Sequence, residues 1–283
     1  MNITVLGLGL IGGSMALAIK QKFDCFIKGV DANESHCNQA LEINLVDEIV
    51  SLDDGIISAD FIFMATPVSA TMKLLPYILD QIDDSTIVID LGSTKDDLCA
   101  MVRNHQKRAN FVAAHPIAGT ENSGPKAALA NLYENKMMII CEQKLSSTDA
   151  IEKSTEIFEA LNMRLMYLEP EEHDRQLAYV SHLSHISSFT LGLTVLAMEK
   201  DDSAIFNLAG SGFASTVRLA KSSPETWSPI FVQNSKHIIN ALNCYINELE
   251  RFRNLIEQKR EQNIKSLIIE ANHVSEILDG KHR

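Results

Sequence analysis

Near its amino end the chain carries Gly7-Leu8-Gly9-Leu10-Ile11-Gly12, a GxGxxG run. Alone this is a weak signal. Here an apolar strand-like run, Ile3–Leu6, precedes it and a helical pattern follows, the setting in which it binds a dinucleotide. Gly7 permits the tight turn, Gly9 lets the backbone approach a pyrophosphate, and Gly12 lets helix and strand pack closely. The amides of Leu10, Ile11 and Gly12 then open a helix whose free N–H groups and positive dipole end face the phosphates. Asp31 ends the next strand-like run, and its carboxylate suits a ribose diol and repels a 2′-phosphate. No Arg or Lys lies between Val30 and Ala40, which favours NAD over NADP.

Three further sites follow strand-like runs, and the carboxyl ends of strands line the ligand crevice of an open parallel sheet. Thr66 and Pro67 either flank the cofactor or simply start a helix with Thr66 as its cap, and the two readings are compatible. In Asp90-Leu91-Gly92-Ser93-Thr94-Lys95, either Ser93 or Thr94 caps the next helix, or the Ser93 hydroxyl enters the crevice. His115 ends another run and would face the nicotinamide side, where a neutral imidazole can take a proton. His182 and His185 stand three apart, on one helix face. No HExxH run or cysteine cluster accompanies that pair, so no metal site is expected.

The elements that must carry these residues are short β-branched runs alternating with helices. Ile3–Leu6, Phe26–Val30, Phe61–Met64, Thr86–Ile89, Phe111–Ala114, Met137–Cys141 and Leu165–Leu168 read as strands, with helices such as Val68–Leu79 and Thr148–Leu161 between them. This is the pattern of an α/β, parallel-rich sheet covered on both faces. After Pro170 strand signals vanish, and Glu171–Met198, Pro229–Gln258 and Asn263–Leu278 read as helices. The expected division is therefore 1–168, an α/β nucleotide-binding domain, and 169–283, an all-α domain with Pro170 in the first turn of its first helix. The apolar residues Ile238, Ile239, Leu242, Tyr245, Ile246 and Leu249 exceed what one small helical domain needs and suggest a second subunit.

The 283 residues carry a net charge of −12, which argues against a nucleic-acid binder. An anionic small molecule is still admissible, because one well-placed arginine can hold it. Five cysteines without a CxxC pair read as reduced thiols of a cytoplasmic protein. The uncharged stretch Ile3–Ile19 is interrupted by glycines and is too short to span a membrane.

GLGLIGGS at 7–14, DLGSTK at 90–95, HPIAGTENSG at 115–124, SHLSH at 181–185 and GSGFASTVRLAKSSPETW at 210–227 resemble, in this order, the prephenate dehydrogenase family, which includes arogenate dehydrogenases. The resemblance implies a Rossmann-type NAD-binding domain, a helical dimerisation domain, and oxidative decarboxylation of prephenate to 4-hydroxyphenylpyruvate. It assigns His115 as the catalytic residue on the C4 hydroxyl and Ser93 as its partner there. It puts Arg218 on a substrate carboxylate and His185 near the substrate side chain. Thr120 and Glu121 fall at the mouth of the site, and His182 joins the substrate-binding set. Many relatives have an acid three positions before the arginine; Ser215 stands there instead, which removes a possible ionic gate to Glu121. With a boundary at 168 the length leaves no room for a fused chorismate mutase or ACT-type domain.

Arogenate is the alternative within the same chemistry, differing by an ammonium in place of a keto group. His185 as a donor to a keto oxygen or carboxylate favours prephenate. A β-hydroxyacid dehydrogenase would need a helical lysine base; Lys221 and Lys236 lie outside any such motif. A non-catalytic NAD-binding dimer is opposed by the presence of Ser93, His115 and Arg218 together.

Overall fold

In a computed structural model describing residues 1–199 and 205–280, the first half builds one eight-stranded sheet. Its strands are β1 (Asn2–Leu6), β2 (Phe26–Val30), β3 (Glu48–Ile49), β4 (Phe61–Met64), β5 (Ile87–Asp90), β6 (Phe111–Pro116), β7 (Met137–Cys141) and β8 (Arg164–Leu168). Their order is β3-β2-β1-β4-β5-β6-β7-β8. All pairs are parallel except β6–β7, where His115 sits opposite Ile139. The chain reverses its winding at β1, which has β2 on one side and β4 on the other. A crevice opens at the carboxyl ends of strands at such a point.

Helices α1 (Leu10–Lys20), α2 (Glu34–Glu42), α3 (Leu52–Ile56), α4 (Val68–Gln81), α5 (Asp96–Val102) and α6 (Thr148–Ala160) connect the strands. Side chains alternate across each strand, so the sheet feeds two cores. Ile3, Val5, Phe61, Phe63, Ile87 and Ile89 enter one. Leu6, Ile62, Met64 and Val88 enter the other. That is why these runs are apolar throughout: both faces are covered.

From Pro170 onward the described residues are helical: α7 (Pro170–Leu177), α8 (Leu183–Glu199), α9 (Ser211–Thr216), α10 (Pro224–Gln233), α11 (Ser235–Glu257) and α12 (Glu261–Leu278), with short 3₁₀ turns between some of them. Pro170 stands in the first turn of α7, where its missing N–H costs nothing. By internal contacts the chain forms two compact units, Met1–Ser235 and Lys236–Arg283. No helix among the described residues is long and apolar enough to cross a membrane.

Two expected continuous helices are broken, and both breaks lie at the site. Between α7 and α8, residues Ala178–His182 form a π turn, an insertion that periodicity does not register. The expected Pro229–Gln258 helix is divided at Asn234, which ends α10 with its side chain turned to α7 and His182. The two-residue edge strand β3 is too short to leave a pattern in the sequence.

Candidate active site

The glycine turn follows β1. Gly7 has φ +88°, and a Cβ there would lie 2.6 Å from the Ala65 carbonyl oxygen. A Cβ on Gly12 would collide with the Gly7 carbonyl oxygen and meet Val5 and Ala65. Both glycines are therefore required by the turn itself. Gly9 differs: nothing lies within 4 Å of its Cβ position, and no side chain caps α1 behind it. Space beside Gly9, and an uncapped helix start through Leu10, Ile11 and Gly12, form a cradle that fits a pyrophosphate. Gly9→Val is expected to fold with a modestly lowered melting temperature, the cost of losing a favoured N-cap residue, while weakening dinucleotide binding at least about tenfold, the penalty of filling that approach. Nucleotide titration followed by fluorescence reads it.

Asp31 caps the far side of this cradle. Its carboxylate accepts the Leu8 N–H at 2.8 Å and the Asn33 N–H at 2.8 Å, with His36 Nδ1 at 3.5 Å. Each oxygen has a second lone pair, so a ribose diol can still be bound. Thr66 lies against the glycine turn, its hydroxyl bonded to that of Thr71; Pro67, not Thr66, is the N-cap of α4, and no side chain caps that helix.

The loop after β5 is built around a fully buried ion pair. Lys95 Nζ donates to the Asp90 carboxylate and, at 2.7 Å, to the Gly92 carbonyl. Thr94 Oγ1 donates to Gln233 of α10 at 2.6 Å. Between these anchors Ser93 is half-buried and makes no hydrogen bond among the described residues.

His115 is buried at the carboxyl end of β6. Burial, and the nearby His173, Lys95 and His182, hold its pKa well below the ordinary histidine range. Its Nδ1 lies 2.8 Å from Nε2 of His173, a residue of α7. His173 Nδ1 in turn lies 2.7 Å from Asp174 Oδ1. Asn234 then links the Asp174 carbonyl, at 2.7 Å, to His182 Nδ1, at 3.1 Å. Burial lowers the His182 pKa to about 4, so this ring is neutral and uses Nδ1 as an acceptor.

His182 and His185 both meet Trp227, His182 edge-on at 6.0 Å between ring centroids and His185 stacked at 3.4 Å. The shared face expected from their spacing is thus present despite the π turn. His185 Nδ1 lies 3.0 Å from the Ser181 carbonyl oxygen and donates to it. Arg218 Nη1 reaches Glu121 Oε2 at 3.1 Å, a partly exposed pair. The acid missing at Ser215 is not needed for this contact, which the arginine makes directly with Glu121. Thr120 is exposed on the same loop and accepts the Asn122 N–H.

Sequence reasoning did not single out His173, Asp174, Asn234, Trp227 or Lys95. His173 and Asp174 read as a polar helical turn, and only the fold brings them under β6. No group of His, Cys, Asp and Glu among the described residues is arranged to hold a metal ion.

A doubly wound sheet with an open glycine cradle and a neutral histidine at its crevice defines a nucleotide-dependent dehydrogenase. The family model described as prephenate dehydrogenase, nucleotide-binding domain, matches residues 15–167, and that described as prephenate dehydrogenase, dimerization domain, matches residues 169–270. This chain belongs to the prephenate dehydrogenase family. It is 31% identical to the prephenate dehydrogenase of Bacillus subtilis (strain 168) over 93% of this chain and 72% of that one. A prephenate dehydrogenase from A. aeolicus, solved with hydroxyphenyl propionate and NAD+, superimposes with a TM-score of 0.90 at 29% identity, covering 98% of each chain. An arogenate dehydrogenase from Synechocystis gives a TM-score of 0.78 at 27% identity, over 98% of this chain and 100% of that one.

Proposed function

We propose that this chain is an NAD-dependent prephenate dehydrogenase, a cytoplasmic homodimer whose residues 1–168 bind the nucleotide and 169–283 complete the substrate site and dimerise. The observation that carries the reading is His115: a buried, neutral imidazole at the end of β6, in the same row of strand ends as the glycine cradle. Dimerisation is supported by the match over 169–270 and by exposed Ile246, Leu249 and Ile256 on α11 and Ile269 and Ile277 on α12.

The glycine turn, Asp31, Thr66 and Pro67 would hold NAD, which supplies the hydride acceptor when bound. His115 takes the C4 hydroxyl proton as the carbonyl forms, and Ser93 orients that hydroxyl. Loss of CO2 then makes the ring aromatic. Arg218 holds a substrate carboxylate by a charge-assisted bond, which Glu121 must yield. Arg218→Gln is expected to raise KM roughly tenfold or more and to lower kcat less, because uniform binding is what it removes. Steady-state kinetics would show the split; an unchanged KM with a collapsed kcat would reverse the assignment.

Arogenate is the second reading, and one observation favours it. With its Nδ1–H given to Ser181 and its pKa lowered by burial, neutral His185 offers Nε2 as an acceptor. An acceptor suits the ammonium of arogenate better than the keto oxygen of prephenate, which corrects the donor role expected from the sequence. Purified protein with NAD and either compound, followed by absorbance of reduced nicotinamide, separates the two. Turnover with neither defeats both. The same assay with NADP tests Asp31.

A further inference from the structure

We infer that His173 and Asp174 are a positioning pair that decides which nitrogen of His115 carries hydrogen, fixing Nδ1–H and leaving Nε2 as the proton acceptor. The inference deepens the proposed function, resting on His115 as its base.

Asp174 accepts the backbone N–H of Lys95 at 2.9 Å and of Asp96 at 3.0 Å, one on each oxygen. Burial alone would raise its pKa, but the His173 hydrogen bond and these amides hold it below the ordinary value. An ionised carboxylate can only accept, so His173 Nδ1 must donate to it. Burial outweighs Asp174 and keeps the His173 pKa low, so the ring is neutral and its Nε2 has a lone pair. That lone pair faces His115 Nδ1 across 2.8 Å, and one hydrogen must lie between the two nitrogens. It can come only from His115. A neutral His115 is then left with its lone pair on Nε2. That atom makes no hydrogen bond among the described residues, and it is not one of the sealed, unpartnered side-chain atoms, so it is open to a ligand.

The other charged or titratable groups facing the pair do not undo this order. Lys95 is held by Asp90, and neutral His182 uses its Nδ1 on Asn234. Once Nε2 of His115 gains the substrate proton, the Asp174 carboxylate balances the new charge through His173.

Asp174 also ties the first amides of α5, so a structural role alone would predict lost stability and little else. The imidazole tautomer separates the two. In the full-length protein with ¹⁵N-labelled histidine at neutral pH, His115, assigned by the signal missing from His115→Asn, should show a protonated Nδ1 and a bare Nε2. In Asp174→Asn the amide can donate to His173 Nδ1, which turns His173 Nε2–H toward His115 and moves the His115 hydrogen to Nε2. The expected result is kcat lower by on the order of a thousandfold. KM and NAD affinity should stay within about threefold, since neither residue holds a ligand. The acid limb of kcat/KM should shift to lower pH, because the carboxylate that favours protonation is gone.

A wild-type His115 carrying hydrogen on Nε2 overturns the inference, and so does an Asp174→Asn protein with wild-type kcat. Should that variant fail to fold, the wild-type spectrum decides alone. Because the spectrum needs no substrate, the expected tautomer without turnover of prephenate or arogenate sinks the proposed function only. Turnover with the opposite tautomer sinks this inference only.

Discussion

His115→Asn is expected to lower kcat by about two to four orders of magnitude, the usual contribution of a positioned base. NAD affinity should stay within about twofold, because the glycine cradle and Asp31 do not involve β6. The substitution suits the question. Asn can still donate an N–H toward His173, so the buried acceptor there is not orphaned. What it lacks is a basic nitrogen for the hydroxyl proton. Steady-state rates and nucleotide titration on the same preparation measure both halves, and a wild-type rate would remove His115 from its role. The pH profile of the unmutated enzyme carries the sign. As the proposed base His115 has to be neutral to act, and its pKa lies well below the ordinary histidine value. Activity should therefore persist as pH falls through the ordinary histidine range and fail only below the depressed pKa.

How much of this was legible in the sequence depends on the range over which each signal acts. The glycine turn, Asp31, Thr66 and His115 each end a strand, and strand, turn and helix are written locally as alternation and breakers. That local grammar located the β4, β5 and β6 ends to within two residues. His173 was not legible because its partner is 58 residues away across a helix-to-strand contact, and a histidine on a helix looks the same whether exposed or buried. Asn234 was hidden for a related reason. Its neighbours continue a helical pattern, and the break follows from bonds to Asp174 and His182, 60 and 52 residues earlier. The π turn adds one residue to a turn without changing composition, and it brings His182 and His185 together on Trp227. The role of His185 shows the limit differently. Residue type allowed donor or acceptor, and only the Ser181 carbonyl decides which nitrogen is taken.

Lys95 is the site residue whose removal should cost the fold most. Its ammonium and the Asp90 carboxylate are both fully buried, one at each end of the Leu91–Thr94 loop. Lys95→Met would keep the stem's apolar volume and leave Asp90 charged or forced to take a proton, with, among the described residues, only the Gly92 N–H on Oδ1. Breaking a buried pair in this way costs about 3–5 kcal/mol, a large share of a domain's stability. Replacing both partners removes the stranded charge, so Asp90→Asn with Lys95→Met should recover much of the loss. Urea midpoints of the two single variants and the double one give the coupling between them. Activity should not recover with stability. Lys95 also holds the Gly92 carbonyl, and Ser93 is the next residue. A double variant that is stable yet turns over slowly would show that the ion pair aims Ser93 as well as filling the core. A Lys95→Met protein within about 1 kcal/mol of wild type would mean the carboxylate finds other compensation, and the loop would then be held by Thr94 and Gln233.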